Sequence, residues 1–206
     1  MPTLLHLDSS PMPSSVSREL TAEFTKTWKT AHPDGTIITR DVSANPSAPL
    51  DVNWIYANFT PEAARTPEQK AILAGSDQLV AELKQADEYV IGVAMHNFSI
   101  PSTLKLWIDQ VARAGATFAY GANGPEGLLK GKKATILIAT GGNYELGTLM
   151  GGLNFVEPYL KSVLGFLGVT DIQFVTAGGA AQLMKPDADR AAFLKPTIER
   201  VRTIAA

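Results

Sequence analysis

The chain has 206 residues, near the upper end of the size of one α/β domain, so we expect a single domain over residues 1–206. Hydrophobic residues make up 45%, which favours a globular protein over a disordered one. With 18 basic and 20 acidic residues the formal net charge is −2, and no segment carries a basic stripe, which argues against nucleic acid as a partner. Cysteine is absent, so disulfides, thiol catalysis and thiolate metal sites are excluded.

The N-terminus has no basic leader followed by an apolar run, and therefore does not resemble a signal peptide. The longest uncharged stretch, residues 89–104, is too short and too polar to span a bilayer. We therefore expect a cytoplasmic protein without a membrane partner.

The predicted elements alternate between strands and helices along the chain. Short apolar or β-branched runs predict five strands, at residues 3–7, 36–42, 89–95, 134–140 and 171–176. Apolar residues spaced three or four apart predict five helices, beginning near residues 17, 67, 101, 155 and 187. The second helix has a strong start, because Thr66 and Gln69 complete a capping box around Pro67. Residues 43–65, rich in Pro and Asn, are predicted to be a long loop.

This alternation predicts a doubly wound parallel sheet with right-handed crossovers and helices on both faces. In such sheets the ligand lies outside the carboxyl ends of the strands. The segments to examine are therefore those that follow the first, third and fourth strands.

Serines dominate the segment after the first strand, which opens a helix. Ser9, Ser10, Ser14, Ser15 and Ser17 lie within it, and no lysine or arginine precedes residue 18. Unpaired N–H groups at a helix N-terminus suit a phosphate, which neutral dipoles would hold here. The alternative is that Ser15 or Ser17 merely caps the helix. Five serines in one place favour the phosphate.

The segments after the third and fourth strands suit a flat heterocycle. Met95-His96-Asn97-Phe98 offers an imidazole, an amide and an aromatic ring. Ala139-Thr140-Gly141-Gly142 offers backbone that a ring can approach closely, because glycine has no side chain. Either segment taken alone is equally compatible with an ordinary turn. Together, at the ends of neighbouring strands, they favour one ligand site.

Other kinds of site have little support. Three scattered histidines without an H-E-x-x-H motif do not indicate a metal, and no G-x-S-x-G motif surrounds a serine. The absence of G-x-G-x-x-G after the first strand disfavours a resident dinucleotide. Five aromatic residues lie in predicted loops and could fill the core, but their number favours a wall over a planar ligand or a subunit interface: Trp54, Tyr56, Phe59, Phe118 and Tyr120.

These segments, in this order, resemble the FMN-dependent NADH azoreductase family, within the flavodoxin-like NAD(P)H dehydrogenase superfamily. The likeness runs essentially from end to end. Its motifs are residues 41–46 (DVSANP), 95–98 (MHNF), 111–118 (VARAGATF), 123–128 (NGPEGL), 131–133 (GKK), 159–160 (YL) and 164–168 (LGFLG).

The resemblance implies a flavodoxin-like sheet of strand order 2-1-3-4-5 and a homodimer with FMN at its interface. The FMN contacts that it implies fall on Ser10, Ser15, Val16, Ser17, Met95, His96, Asn97, Phe98, Ala139, Thr140, Gly141 and Gly142. The substrate side would be lined by His96, Asn97, Phe118 and Tyr120. Two positions depart from the family pattern: His96 stands where Tyr is usual, and Thr140 where Arg is common.

The activity that the resemblance implies is the two-electron reduction of quinones and azo compounds by NADH or NADPH in a ping-pong sequence. The flavin carries the chemistry, so no catalytic side chain and no metal are assigned. The alternative is a flavodoxin-like carrier that binds FMN without turning over a substrate. Carriers of that kind are usually strongly acidic, and a net charge of −2 argues against one.

Overall fold

A five-stranded parallel sheet forms the centre of the computed structural model, which describes residues 1–122, 124–145 and 147–206. The strands of the chain are β1 (Thr3–Asp8), β2 (Thr36–Asp41), β3 (Glu88–Ala94), β4 (Phe118–Gly121), β5 (Gly124–Gly127), β6 (Lys133–Ala139) and β7 (Asp171–Ala177). The sheet has the order β2-β1-β3-β6-β7, which is the predicted order 2-1-3-4-5 once the separate β4–β5 hairpin is set aside. The expected flavodoxin-like architecture is therefore confirmed.

Helices cover both faces of this sheet. They are α1 (Val16–Ala31), α2 (Val52–Phe59), α3 (Pro67–Gln85), α4 (Ser102–Val111), α5 (Val156–Phe166) and α6 (Arg190–Ala205). Leu20 and Phe24 of α1 share one buried cluster with Leu194 of α6, while α3, α4 and α5 contribute to the other. Short 3₁₀ turns occur at Glu62–Ala64, Gly151–Leu153 and Ala180–Met184. No helix in the described ranges is both long and apolar enough to cross a membrane.

The central strands are buried because helices pack on both of their sides, as their continuous apolar runs predict. Tyr89–Val93 of β3 and the six residues from Ala134 to Ala139 of β6 are all buried. The capping box of α3 is also present. Thr66 Oγ1 accepts from the Gln69 N–H, and Gln69 Oε1 accepts from the Thr66 N–H.

The expectation of an uninterrupted loop over residues 43–65 is wrong, since α2 lies within it. Asp51 caps this helix by accepting a hydrogen bond from the Trp54 N–H at 2.7 Å. Trp54 is buried, and its indole Nε1 donates to Gln110 Oε1 at 2.9 Å. Tertiary contacts of this kind stabilise a helix that is too short to be stable alone.

The β4–β5 hairpin was not expected either, because residues 118–127 are rich in glycine and read as a connection. It pairs Phe118 with Gly127 in an antiparallel ladder. The base of the hairpin lies directly on the C-terminal end of α5: a side-chain carbon added to Gly127 would fall 2.1 Å from the backbone nitrogen of Gly168. Asn123, part of one family motif, lies outside the described residues.

Candidate cofactor-binding site

The three predicted segments lie side by side along one edge of the sheet. Ser9 Oγ donates to the carbonyl of Gly92 in β3 at 2.7 Å, and the Met95 N–H donates to the carbonyl of Ala139 at the end of β6 at 2.9 Å. The Thr140 N–H donates to Ala177 at the end of β7. Parallel strands place their carboxyl ends at a common edge, and the segments after β1, β3 and β6 meet there as neighbours.

The first segment ends at the N-terminus of α1, where backbone donors are unengaged. Ser15 is the cap, with its Oγ accepting from the Arg18 N–H at 3.3 Å. The N–H groups of Val16 and Ser17 donate to no acceptor in the described part of the chain. Such groups, together with the helix dipole, form a site for an anion.

The serine hydroxyls near these donors differ in accessibility. Ser15 is partly exposed, whereas Ser10 is 2% exposed and Ser17 is fully buried. Ser17 Oγ lies 3.3 Å from Ser15 Oγ, and Ser10 Oγ accepts from the Met12 N–H at 3.4 Å. The sequence pattern presented the serines as equivalent donors; in the structure Ser14 is exposed and Ser15 is partly exposed, whereas Ser10 and Ser17 are buried.

Arg18 connects this segment to the end of β2 through hydrogen bonds. Its Nε and Nη2 donate to the Ser10 carbonyl at 2.9 and 2.7 Å, and its Nη2 also donates to Asp41 Oδ2 at 2.7 Å. Burial pushes the pKa of Asp41 upward, but hydrogen bonds from Ser43 and Arg18 outweigh burial and lower the pKa to about 2. Sequence reasoning did not single out this pair, because its members lie 23 residues apart.

The second segment is a tight turn with an unusual backbone. The N–H groups of His96 and Ser99 each donate to the other's carbonyl, at 2.9 and 3.0 Å. Asn97 and Phe98 between them have φ angles of 48° and 71°. Two successive left-handed residues are the arrangement of a type I′ turn, in which Asn is common and Phe is rare. The turn leaves His96, Asn97 and Phe98 exposed.

The third segment presents bare backbone. The carbonyls of Thr140, Gly141 and Gly142 accept from the N–H groups of residues 179–181. The Gly141 and Gly142 N–H groups donate to no acceptor among the described residues. A side-chain carbon added to Gly141 would meet only Ala181 Cβ, at 3.9 Å, so the space above Gly141 is open. Thr140 is buried and donates to the Gly142 carbonyl at 2.7 Å.

Two expected members of the substrate wall lie on the β4–β5 hairpin. Phe118 is 9% exposed and packs on Phe166, with ring centroids 4.7 Å apart. Tyr120 is 75% exposed and contacts Phe118 edge to face. These ring contacts connect the two residues to each other and to α5, and no ring–ring contact among the described residues connects them to the His96–Ser99 turn.

Residues that the sequence did not single out surround that turn. The Tyr144 ring meets the Phe98 ring edge to face at 6.0 Å, and the Phe155 N–H donates to the Phe98 carbonyl at 3.0 Å. Lys105 and Tyr159 line a cavity of about 450 Å³ beside the turn. Burial raises the pKa of the Tyr159 hydroxyl. Lys105 lies only 6 positions beyond Ser99, but Tyr144, Phe155 and Tyr159 lie 45 to 60 positions beyond it, and only the tertiary fold brings these three to the turn.

The described residues contain no cluster of side chains typical of a metal site. In residues 1–122, 124–145 and 147–206, no three His, Asp or Glu side chains are grouped as metal ligands would be.

The sheet order defines a flavodoxin-like α/β protein, and the unengaged donors of the described residues mark a candidate ligand site at the carboxyl edge of the sheet. Comparison with known proteins agrees. The family described as "Flavodoxin-like fold" matches residues 2–201, and the chain belongs to this family.

Several relatives are named for an enzymatic function. An FMN-dependent NADH:quinone oxidoreductase from Acidobacterium capsulatum is 63% identical over 100% of both chains. A second protein of that name, from Burkholderia lata, is 46% identical over 98% of this chain and 99% of its own. An azoreductase structure from Bacillus anthracis str. Sterne superimposes with a TM-score of 0.88 at 29% identity, covering 100% of this chain and 99% of that one. An FMN-dependent NADH-azoreductase from Bacillus anthracis str. Ames Ancestor, solved in complex with FMN, gives 0.87 at 28% identity, with 100% and 98% covered.

Proposed function

We propose that this protein is an FMN-dependent oxidoreductase that uses NADH to reduce quinones and azo compounds, with residues 1–206 acting as one domain. The observation that carries the proposal is the set of four unengaged backbone N–H groups, on Val16, Ser17, Gly141 and Gly142, at the carboxyl edge of a flavodoxin-like sheet. The names of the full-length relatives support both the cofactor and the activity.

The described residues fit FMN part by part. The N-terminus of α1, with Ser10, Ser15, Val16 and Ser17, would hold the phosphate, because a helix N-terminus stabilises an anion without a cationic side chain. Met95, His96, Asn97 and Phe98 would contact the ribityl chain and the ring. Ala139, Thr140, Gly141 and Gly142 would contact the ring through the backbone, which is open above Gly141.

Side chains around the His96–Ser99 turn would contact the substrate. Bound FMN would supply two-electron hydride chemistry, for which the protein needs no nucleophile of its own. Phe98 and Tyr144 provide apolar surface that excludes water from one side of the turn. His96 and Asn97 are exposed and can donate hydrogen bonds to the oxygen or nitrogen of an acceptor. The cavity lined by Lys105 and Tyr159 is adjacent to both.

The proposal includes a homodimer, because large apolar side chains remain exposed. Tyr56 and Phe59 on α2 are 68% and 72% exposed, Tyr120 on the hairpin is 75% exposed, and Phe155 is 54% exposed. Patches of this kind usually mark contact surfaces. Trp54 and Phe118, which the sequence also offered for an interface, are buried within their own chain and do not contribute. The proposal extends to NADPH as a second donor and to a cytoplasmic location.

The cofactor and the activity can be tested on the purified protein. Chromatography of the flavin released on denaturation should identify FMN, and initial rates with NADH and a quinone should give parallel double-reciprocal lines. The same assay with NADPH measures the choice of donor. FMN binding without quinone turnover would instead identify an electron carrier, and FAD in place of FMN would contradict the proposed cofactor. Light scattering should give twice the mass of the 22.0 kDa chain.

A further inference from the structure

Two donors of one guanidinium engage the Ser10 carbonyl. Arg18 Nε and Nη2 donate to it at 2.9 and 2.7 Å. Ser43 Oγ lies 2.9 Å from the same oxygen, but its single hydrogen donates to Asp41 Oδ1 at 2.7 Å, and Ser43 Oγ accepts from Arg18 Nη2 at 2.8 Å. A carbonyl oxygen has two lone pairs, so this oxygen is fully engaged. Ser10 is the residue at which the chain leaves β1 for the segment that ends in the Ser15 cap, so these bonds fix the start of that segment.

The charge of Arg18 is already paired within the protein. Its Nη2 lies 2.7 Å from Asp41 Oδ2, and its Nη1 lies 3.4 Å from Asp8 Oδ2. Asp8 is buried, and its other oxygen accepts from Thr21 Oγ1 at 2.7 Å. The guanidinium is therefore directed at two carboxylates and a carbonyl, and not at the unengaged N–H groups of the first turn of α1.

We propose that Arg18 is a positioning residue of the phosphate site: its planar fork fixes the Ser10 carbonyl, and so the loop that carries the serine donors, without itself binding the phosphate. The inference rests on the proposed function, since the phosphate is that of FMN. Without these hydrogen bonds the Ser10 carbonyl oxygen would present its partial negative charge beside the phosphate site. The two donors of the Arg18 guanidinium prevent this. Lysine cannot replace arginine here, because its ammonium is a point charge without the bidentate geometry of a guanidinium.

The test compares FMN with riboflavin, which has the same ring and ribityl chain but no phosphate. The ratio of the two dissociation constants isolates the phosphate contribution, which a general loss of structure would not change selectively. The bound flavin is first removed from the protein. FMN or riboflavin is then titrated into the apoprotein, and the quenching of flavin fluorescence is measured. The variants are Arg18→Met, Arg18→Lys and the milder Ser43→Ala. Arg40→Met is the matched control, because Arg40 precedes Asp41 on β2 and is similarly buried, but pairs with Glu82.

We expect Arg18→Met and Arg18→Lys each to reduce the preference for FMN by about tenfold or more, the effect of losing charge-assisted hydrogen bonds. Riboflavin binding should stay unchanged, Ser43→Ala should show a smaller loss in the same direction, and Arg40→Met should retain the wild-type ratio. Full preference in Arg18→Lys would make Arg18 a charge partner of the phosphate and overturn the positioning role. Equal weakening of both flavins by both Arg18→Met and Ser43→Ala would also overturn it. A wild-type protein without any preference for FMN would instead refute the phosphate site of the proposed function.

Discussion

The turn after β3 allows strain and function to be separated at one residue. Phe98 has a φ of 71°, in the left-handed region that costs a residue with a side chain about 1–2 kcal/mol. Its ring is 41% exposed and meets Tyr144 edge to face at 6.0 Å. Phe98→Ala removes the ring and keeps the strain, whereas Phe98→Gly removes both and creates the Asn-Gly pair that type I′ turns prefer.

We expect the glycine variant to be the more stable of the two. Relief of strain favours glycine by about 1–2 kcal/mol, and the greater entropy of an unfolded chain with glycine opposes it by about 0.4–1 kcal/mol. The net difference is about 1 kcal/mol, which corresponds to roughly 2–4 °C in the melting temperature of a domain of this size. Thermal or urea unfolding of the two variants measures it. Tyr56 in α2 is a control, because alanine should exceed glycine there by up to about 1 kcal/mol.

The affinity for FMN should not follow the stability of the two variants. Both variants lose the ring, so both should bind FMN more weakly than the wild type, and by the same factor. An alanine variant as stable as the glycine variant would refute the strain argument. A glycine variant that binds FMN as tightly as the wild type would show that the Phe98 ring is not a cofactor contact.

Three further predictions concern the surroundings of the site. Gly92→Ala would place a carbon 2.8 Å from Thr21 Cγ2 and 3.0 Å from Asp8 Oδ1, and should cost about 1–3 kcal/mol of unfolding free energy and weaken FMN binding; urea titration with an unchanged midpoint would contradict this packing. The pKa of Asp41 is lowered from 3.8 to about 2, so its contribution of on the order of 2 kcal/mol is complete above about pH 4 and is lost as the pH falls toward 2. Unfolding measured over that range should show this loss in the wild type but not in Asp41→Asn. Ser15→Ala removes the α1 cap, which should cost about 1 kcal/mol in thermal unfolding and weaken binding of FMN more than that of riboflavin; equal weakening would limit Ser15 to capping.

The sheet, and the meeting of the three candidate segments at its carboxyl edge, were predictable because they depend on local patterns. Residues 89–95 form an apolar run without interruption, which is typical of a strand covered on both sides. The edge follows from the alternation of strands and helices alone. Helix α2 was missed, although its cap Asp51 is visible, because eight residues give too little periodicity and the burial of Trp54 depends on Gln110 far along the chain.

Details of the candidate site were less predictable, since they depend on contacts between distant segments. Nothing in the serine-rich segment shows that Ser17 is buried while Ser15 remains accessible. The engagement of Arg18 with Asp41 requires β2 to lie beside β1, and the ring of Tyr144 reaches Phe98 only after the third segment folds back. The left-handed backbone of Phe98 had no signal in the sequence, because a bulky residue is rarely found there.

The close approach of Gly127 and Gly168 has a consequence for exchanging parts between relatives. Two backbones touch there, and Leu129 N–H also donates to the Leu167 carbonyl at 2.9 Å, so the exposed hairpin and the end of α5 form one joint. A chimera that imports the hairpin of another protein should therefore import the end of α5 with it. Gly124 at the other end of the hairpin should be kept in such a chimera, because its φ of 107° strains any other residue although a side-chain carbon there would meet no described atom within 4 Å. Exchanging the hairpin together with the end of α5 would change Tyr120 and its neighbours while the sheet and its carboxyl edge stay intact.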